Sequence, residues 1–513
     1  MFTTKDQQQI EAKGISLATV EKQLAYFKRG FPYLSVVKPA TIGDGIRSLN
    51  TEEVQQAVTS FNEGIKKRRI LKFVPASGAA TRMFKELFDF LNTCEQQGKV
   101  PEAAIHDKKN YINIFISNLE RFAFYPDLHK VLASEGKDIK AMVVSHDYAG
   151  IIRCLLNEGM HYSSLPKGLL LFHRYGDQSR TAAEEHLVEG AMHARNNDDS
   201  VYIHFTVSAE HMEKFSQHIE EKKNLYEKRF GVVYHISYST QDPSTDIIAV
   251  DMHNNPFREA DGRLLFRPGG HGALLSNLNA LDADCIMIKN IDNITVDRYK
   301  DVTYLYKKVL AGILFSTEEK IHGYIKKLNT NRISEAEIKK IENFVKTELC
   351  CLPPMAYNNY DIRQKSAYLL TKLNRPLRCC GMVKSEGDTG GGPFWAMSSD
   401  GSQTLQIAET PQLDTKNPEV QKIIDASTHF NPADFALSIK NFRGEKFSLF
   451  DFRDPDTGFI TKKSKEGKDL KAQELPGLWN GSMSEWNTIF IEVPLITFNP
   501  VKSINDLLKE THT

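Results

Sequence analysis

The sequence lacks an excess of either charge, because 65 Lys and Arg residues balance 65 Asp and Glu residues among its 513 residues. A general nucleic-acid coat or a protein that binds anionic membranes needs surplus basic charge, so both classes are disfavoured. We therefore expect no nucleic-acid partner and no membrane partner. A local basic pocket for phosphates is still compatible with a net charge of zero.

Three other sequence signals are missing. The 7 cysteines contain no C-x-x-C spacing, which disfavours a structural zinc site and favours reduced thiols. No apolar run approaches the roughly 18 residues that a membrane span needs. The first residues lack the apolar stretch of a signal peptide. Together these absences predict a cytoplasmic protein.

Strand and helix patterns alternate through the middle of the chain. Short apolar strands are predicted at 70–74, 201–207, 232–238 and 285–289, and helices at 181–195 and 210–228. This alternation is typical of a mostly parallel sheet that is covered on both faces, so the predicted class is α/β.

The chain is predicted to have three parts. Residues 1–65 form an N-terminal helical segment, and residues 66–440 form the core. The core contains helical insertions near 100–160 and 300–350, and the second insertion is rich in Lys and Glu, which indicates a solvated helical pair. Residues 441–513 form a C-terminal segment that packs on the core.

The first motif with possible chemistry follows the strand at 70–74. Its small residues let a ligand approach the main chain closely, and they are Ala76, Ser77, Gly78, Ala79 and Ala80. A helix predicted to begin near Thr81 would direct free N–H groups to the same place, where Arg82 and Lys85 add positive charge. The alternative is a tight turn that needs small residues only for packing, with Arg82 in a salt bridge.

Two further loops could bind a nucleotide. The first contains three glycines around one histidine, namely Gly269, Gly270, His271 and Gly272. It could form a flat surface on which a planar ring lies. The alternative is an ordinary glycine turn. The apolar strand at 285–289 leads to Asp292 and Asn293. Ligands of open α/β sheets bind beyond the carboxyl ends of strands, where an acid can hold Mg²⁺ against phosphates. The alternative is a turn that ends the strand.

One helical pair of side chains could bind a metal. His186 and Glu189 stand at positions i and i+3 of the predicted helix. A surface helix with charged residues is the preferred interpretation of this pattern.

Four motifs occur in the same order as in the UDP-sugar pyrophosphorylases, the family of the UTP–glucose-1-phosphate and N-acetylglucosamine-1-phosphate uridylyltransferases. The loop L-x-x-G-G-x-G-T-R resembles FVPASGAATR at 73–82, and Pro-Lys-Gly resembles residues 166–168. The segment Pro-Gly-His-Gly is similar to PGGHG at 268–272, and Asn-x-Asp-Asn is similar to NIDN at 290–293. Nearly the whole chain also resembles a bacterial family described only as a domain of unknown function.

The resemblance implies a Rossmann-like mixed sheet of the nucleotide-diphospho-sugar transferase (GT-A-like) type. It also implies that Arg82 holds the departing pyrophosphate, with Lys85 nearby. Lys167 would neutralise charge between the two phosphates, and Asp292 would hold Mg²⁺. The residues implied to bind the nucleotide are Ala76, Ser77, Gly78, Thr81, Gly269, Gly270, His271 and Gly272.

The resemblance further implies a sugar-binding group of three residues, Asn293, Glu409 and Asn431. Lys463 or Lys471 would supply a second lysine for phosphate. The sequence departs from the family pattern at Ser77 and Ala80, where the family has glycine.

The implied activity joins a nucleoside triphosphate such as UTP to a sugar 1-phosphate and releases pyrophosphate. A glycosyltransferase that uses a nucleotide sugar is one alternative, and a non-catalytic nucleotide-sugar-binding protein is the other. The sequence predicts no particular nucleobase, sugar or oligomeric state.

Overall fold

The computed structural model of the chain describes residues 2–78, 80–330, 333–387, 390–465 and 467–513. These residues form a mixed α/β structure with many helices, as the sequence predicts. The strands in chain order are β1 (Val36–Pro39), β2 (Thr41–Ile42), β3 (Gly45–Arg47), β4 (Ile70–Pro75), β5 (Leu171–Tyr175), β6 (Gln178–Thr181), β7 (Ser200–Thr206), β8 (Val233–Ser239), β9 (Ile247–Ile248), β10 (Phe266–Arg267), β11 (Cys285–Ile288), β12 (Leu377–Lys384), β13 (Gly392–Met397), β14 (Gln403–Ala408), β15 (His429–Phe430), β16 (Phe435–Ser438), β17 (Phe459–Lys465), β18 (Lys468–Glu474) and β19 (Asn487–Glu492).

The α-helices in chain order are α1 (Thr4–Ala12), α2 (Leu17–Arg29), α3 (Thr51–Gly64), α4 (Lys85–Gln97), α5 (Glu102–His106), α6 (Tyr111–Ser117), α7 (Tyr125–Ser134), α8 (Ile139–Val144), α9 (Tyr148–Arg153), α10 (Ala182–His193), α11 (Met212–Phe230), α12 (Leu275–Ala280), α13 (Lys300–Leu328), α14 (Glu335–Thr347), α15 (Ile362–Leu373) and α16 (Pro418–Asp425). Among the described residues, no helix is long and apolar enough to cross a membrane. Each of the 7 cysteines is a free thiol.

The chain divides into two compact units, and neither is continuous in sequence. Unit one contains residues up to 70, 241–288 and 307–494. Unit two contains residues 71–240, 289–306 and 495–513.

Unit two contains a parallel sheet, as predicted. Strand β4 pairs in parallel with β7, and β7 pairs in parallel with β8. Strands β5 and β6 form a separate antiparallel hairpin. Helices α5 to α9, followed by a π-helical turn at Cys154–Glu158, occupy the stretch near 100–160. Its apolar side chains join the hydrophobic core of this unit.

Helix α10 of unit two is buried along nearly its whole length, so the expected surface helix is wrong. It begins with a capping box in which the Thr181 hydroxyl and the Glu184 carboxylate bond each other's main-chain N–H groups. His186 and Glu189 are fully buried. Glu189 bonds two buried lysines instead of sharing a metal with His186, with Nζ of Lys72 at 2.9 Å.

Unit one contains a mixed sheet in the order β2–β3–β19–β12–β16–β11. The pairs from β2 to β12 are parallel, and the pairs of β16 with β12 and β11 are antiparallel. A second sheet has the order β1–β13–β14, and β17 and β18 form a hairpin. The predicted N-terminal helical segment therefore also contributes three short strands.

Helix α13 corrects the expectation of a solvated helical pair at 300–350. Residues 309–315 of this helix are buried in a continuous run. Gly312 permits this burial, because a Cβ there would collide with the main chain at Ala57 of α3. Helix α14 is amphipathic, and its buried face includes Ile338, Ile341 and Phe344.

Candidate functional site

In the loop after β4, two main-chain N–H groups have no acceptor among the residues that the structure describes. The N–H of Ala76 donates to the carbonyl oxygen of Thr206 at 2.9 Å, so it continues the sheet. No acceptor for the N–H groups of Ser77 and Gly78 lies within the described part of the chain. A Cβ added to Gly78 would meet nothing within 4 Å, so packing does not explain this glycine. Ala79 lies outside the described residues.

Two cationic side chains, Arg82 and Lys85, follow this loop. Residues Ala80–Arg82 form a 3-10 turn, and the α-helix begins at Lys85, so the helix start predicted near Thr81 is four residues too early. Thr81, Arg82 and Lys85 are exposed. Neither Arg82 nor Lys85 forms an ion pair with any described residue, so the alternative of a structural salt bridge finds no support there.

Lys167 and Asp292 meet in unit two. Nζ of Lys167 lies 2.6 Å from Oδ2 of Asp292. The N–H of Ile291 donates to the carbonyl oxygen of Pro75 at 3.3 Å, which places Asp292 beside the start of the loop after β4. Gly168 lets the Pro-Lys-Gly segment pack closely, because a Cβ there would lie 2.6 Å from the ring of Phe215.

Asn293, predicted to bind sugar, is buried with 1% of its surface exposed. Its Oδ1 accepts a hydrogen bond from the N–H of Asn499 at 2.8 Å. In this conformation the side chain holds the main chain of unit two. Direct contact with a sugar therefore stays a prediction that requires this segment to open.

A buried cluster of three charged side chains lies in unit two, and two of the three stand close in the sequence to the candidate site. Oε1 of Glu189 lies 2.6 Å from Nζ of Lys289, and its Oε2 lies 2.9 Å from Nζ of Lys72. Lys72 is in β4 and Lys289 directly follows β11, so one carboxylate joins the segments that lead to the loop and to Asp292. Burial alone would raise the pKa of Glu189, but Lys289 and Lys72 hold it well below its ordinary value.

In unit one, the residues predicted to bind base and sugar are brought together. Nε2 of His271 lies 3.0 Å from Oε1 of Glu409, and Nδ2 of Asn480 donates to the same oxygen at 2.8 Å. The N–H of Leu478 points at Nδ1 of His271 at 3.0 Å. Because Nδ1 accepts this bond, Nε2 carries the proton of the neutral ring and donates to Glu409.

The glycine loop at 269–272 of unit one packs tightly against residues 475–476. A Cβ on Gly269 would lie 2.8 Å from Leu475, and a Cβ on Gly272 would collide with the Pro476 carbonyl. Gly270 has φ +72°, a conformation that favours glycine. The ring of His271 stacks on that of Trp479, with centroids 4.2 Å apart.

The remaining predicted residues of unit one contact protein groups. Asn431 is buried, and its Nδ2 donates to the carbonyl oxygen of Gly381 while its Oδ1 accepts from the N–H of Ala433. Nζ of Lys471 donates to Oδ1 of Asn254 at 2.7 Å. Lys463 has no ion pair among the residues described.

A family model described as "Domain of unknown function (DUF4301)" matches residues 3–513. The chain belongs to this family. The predicted resemblance to a bacterial family of unknown function is thereby confirmed. No curated protein matches the sequence.

Among solved structures, the chain is similar to the UDP-glucose pyrophosphorylase of Leishmania major, with 11% identity and a TM-score of 0.43. That match covers 99% of this chain and 79% of the other. It is also similar to the uridine diphosphate N-acetylglucosamine pyrophosphorylase of Trypanosoma brucei, with 12% identity and a TM-score of 0.45. That match covers 95% of this chain and 74% of the other.

The donor set beside Asp292 fits Mg²⁺. This ion binds proteins through one or two carboxylates and keeps its other positions for water and substrate phosphates. No group of three His, Cys, Asp or Glu side chains that could hold a metal occurs in the described ranges. The carboxylate of Asp292, whose second oxygen has no partner among the described residues, is a ligand of the kind that this ion accepts.

Sequence reasoning missed two side chains that complete the cluster around Glu409. Trp479 supports the ring of His271, and Asn480 shares its carboxylate partner. The segment Trp-Asn-Gly at 479–481 was the available signal, because an aromatic residue beside Asn and Gly is unusual in a strand that only fills a core.

Proposed function

We propose that this chain is a nucleotidyltransferase that joins a nucleoside triphosphate to a sugar 1-phosphate and releases pyrophosphate. The observation that carries the proposal is in unit two. A loop whose Ser77 and Gly78 N–H groups and whose Arg82 side chain have no partner among the described residues begins beside the ion pair of Lys167 with Asp292. We further propose the GT-A-like classification and a cytoplasmic location, in keeping with free thiols throughout.

In the proposed reaction, an oxygen of the sugar phosphate attacks the α-phosphorus of the triphosphate. A new P–O bond forms as the bond from the α-phosphorus to the bridging oxygen breaks, and pyrophosphate leaves with that electron pair. Such a step needs positioning and charge stabilisation more than a covalent intermediate. Mg²⁺, when bound, would offset the charge of the phosphates.

The chain's own residues have separate tasks in this proposal. The N–H groups of Ser77 and Gly78 bind the β- and γ-phosphates, and the guanidinium of Arg82 grips two of their oxygens. Lys167 leaves Asp292 and offsets the repulsion between the two reacting phosphates. Asp292 then provides a carboxylate for the metal.

The unpaired cations favour this reaction over the glycosyltransferase alternative. A glycosyltransferase starts from a finished nucleotide sugar, so no pyrophosphate needs to be held as it leaves. Arg82 and Lys85 are both exposed and without ion pairs to described residues. Two such cations beside free N–H groups suit a group that carries the charge of pyrophosphate.

The cluster of His271 and Glu409 in unit one presents groups that can bind a base and a sugar. The carboxylate of Glu409 is held by His271 and Asn480 and is 26% exposed, so the hydroxyl of a sugar can reach it. We propose that Gly270 and His271 contact the nucleobase. We propose that Glu409 selects the sugar.

The test is pyrophosphate release by the full chain, measured with each of the four ribonucleoside triphosphates and a panel of sugar 1-phosphates in the presence of Mg²⁺. We expect one triphosphate to be turned over with one class of sugar phosphate. Arg82→Ala should lower kcat/KM by about a hundredfold, the loss expected for a charge-assisted bidentate contact. Lys130→Ala on α7 is the matched control, because Lys130 is an exposed lysine of the same unit.

Two outcomes would contradict the proposal. Equal pyrophosphate release by Arg82→Ala and Lys130→Ala would remove Arg82 from the site. Binding of nucleotide sugar with no pyrophosphate release from any pair of substrates would favour the non-catalytic alternative.

A further inference from the structure

The segment Asn499–His512, which we call the closing segment, contacts both parts of the candidate site in unit two. Its apolar side chains Val501, Ile504 and Leu507 are buried in the core of that unit. Its main-chain groups bond loops rather than sheet edges. The sequence motifs assigned no role to this segment.

At one end, the closing segment holds the residues around Asp292. The N–H of Val501 donates to the carbonyl oxygen of Asp292 at 3.2 Å. The N–H of Asn499 donates to Oδ1 of Asn293 at 2.8 Å, and Asn293 forms a β-bridge with Pro500. The main chain of the proposed metal ligand is thus fixed on one side by this segment.

A few residues later, the same segment holds the turn that carries Arg82. The N–H of Ile504 donates to the carbonyl oxygen of Met83 at 3.1 Å. Nδ2 of Asn505 donates to the carbonyl oxygen of Tyr111 at 3.0 Å. Val501 and Ile504 are only three positions apart in the chain, so movement at one contact is transmitted to the other.

The end of the closing segment is anchored by a buried histidine pair. Nδ1 of His512 lies 2.8 Å from Nε2 of His173, whose Nδ1 lies 2.9 Å from Glu185. The carbonyl oxygen of Thr511 accepts a hydrogen bond from the N–H of Val296 at 3.1 Å. The segment therefore runs beside 292–296 from end to end.

We infer that the closing segment is a positioning element that fixes the spacing between Arg82 and Asp292, so that phosphate binding at one strengthens metal binding at the other. The identity of the two ligands rests on the proposed function. The mechanical statement, that the segment couples the two loops, rests only on the contacts above. Coupling of this kind is reciprocal, because each ligand favours the same arrangement of the segment.

Ile504→Pro is the sharpest test. It removes the N–H group that donates to the carbonyl oxygen of Met83, and the main-chain conformation at this position can accommodate proline. Ser503 has φ −127° and ψ 163°, the extended conformation that a residue before proline requires. Ile504 is the first residue of a 3-10 turn, where the fixed φ of proline is tolerated. Ile504→Val is the matched control, since it trims the side chain and keeps the N–H.

The first measurement is hydrogen exchange of the full chain without ligand. Ile504→Pro should speed exchange both in the turn around Met83 and at residues 292–296, by about three- to tenfold relative to Ile504→Val, the range for one lost main-chain hydrogen bond. Faster exchange near residue 504 and Met83 alone would overturn the inference. This readout does not depend on the proposed function.

The second measurement is the Mg²⁺ concentration that gives half-maximal pyrophosphate release. Ile504→Pro should raise it by about threefold or more, with turnover restored by excess Mg²⁺, because the lost contact lies at the phosphate end. A uniform loss of activity that Mg²⁺ does not rescue would overturn the coupling. If the unaltered chain releases no pyrophosphate, the proposed function fails. The hydrogen-exchange measurement then still tests whether the closing segment couples the two loops.

A second variant serves if Ile504→Pro does not fold. Val501→Pro removes the N–H that Asp292 accepts, and Val501→Ala is its control. It should speed exchange in the turn around Met83, which Val501 does not bond. Unchanged exchange there would overturn the inference.

Discussion

The ammonium group of Lys167 lies 2.6 Å from the carboxylate of Asp292, although 125 residues separate them in the chain. The two side chains are 14% and 23% exposed, so a ligand can reach both. Each charge is satisfied by the other until a phosphate and a cation arrive together. The pair therefore keeps two functional charges in place without leaving either one unpaired.

Asp292→Asn should remove Mg²⁺-dependent binding with little loss of stability. A partly exposed ion pair contributes about 0–1 kcal/mol, so the melting temperature of the free protein should change little. The rise in melting temperature that triphosphate produces in the presence of Mg²⁺ should shrink strongly. Asp89→Asn, at an exposed position of α4, is the control, and equal shifts in both variants would exclude Asp292 as the metal ligand.

Two glycines in unit two should respond differently to a methyl group. Gly78→Ala meets nothing within 4 Å, so it should leave stability unchanged and weaken triphosphate binding by about tenfold through steric contact with the ligand. Gly168→Ala places a carbon 2.6 Å from Phe215 and should lower the free energy of unfolding by about 1–3 kcal/mol. Denaturant unfolding and calorimetric titration distinguish the two effects. Unchanged triphosphate affinity in Gly78→Ala would show that no ligand approaches this loop.

Glu409→Gln should separate sugar recognition from nucleotide recognition. The amide oxygen can still accept from His271 and Asn480, so the local structure should persist. The affinity for nucleotide sugar should fall by about tenfold or more, the loss expected when a hydrogen bond to a charged group is weakened. Triphosphate affinity should be unaffected, as calorimetry would show. An equal fall in both affinities would mean that Glu409 acts by supporting the glycine loop at 269–272.

His204 should make unit two less stable in acid. Its ring is buried between Ser237 at 2.8 Å and Ser239 at 2.7 Å, and burial lowers its pKa from 6.5 to about 4. The unfolded chain therefore binds the proton first, so stability is lost as the pH falls from 6.5 towards 4. The loss amounts to roughly 2 kcal/mol at pH 5.

His204→Gln keeps a hydrogen-bonding side chain and removes the titrating group. Its free energy of unfolding should therefore fall less between pH 7 and pH 5 than that of the unaltered chain. His129→Gln, at an exposed histidine, is the control. Parallel pH profiles for His204→Gln and the unaltered chain would contradict the assignment.

Much of the sheet was predictable, because short apolar runs bounded by turn residues mark buried strands. The order of the motifs also predicts that Lys167 and Asp292 lie close together, and the two side chains form an ion pair. The burial of α10 was not predictable from its own sequence, since Glu185, His186 and Glu189 are typical of a solvated face. Their partners are distant in the sequence, and one of them, Lys72, stands among apolar residues of β4 that give no sign of a buried charge.

The closing segment was missed for a different physical reason. Its contacts with Asp292 and Met83 are made by main-chain N–H groups, which every residue except proline possesses. Main-chain hydrogen bonds produce no pattern of side chains in the sequence, so Val501 and Ile504 predict only a buried face. The bonds can be identified only from the fold, which brings their N–H and carbonyl groups together.

The cluster of Lys72, Glu189 and Lys289 constrains how this protein can evolve. Replacing one member leaves a buried charge without its partner, which typically lowers the free energy of unfolding by about 3–5 kcal/mol. Replacing a whole buried ion cluster with apolar residues often leaves the free energy of unfolding unchanged. Each of the single variants Lys72→Met, Glu189→Leu and Lys289→Met should therefore be less stable than the unaltered chain. The triple variant that combines them need not be less stable. Substitutions at these three positions should therefore be strongly epistatic, and the three residues should be inherited together.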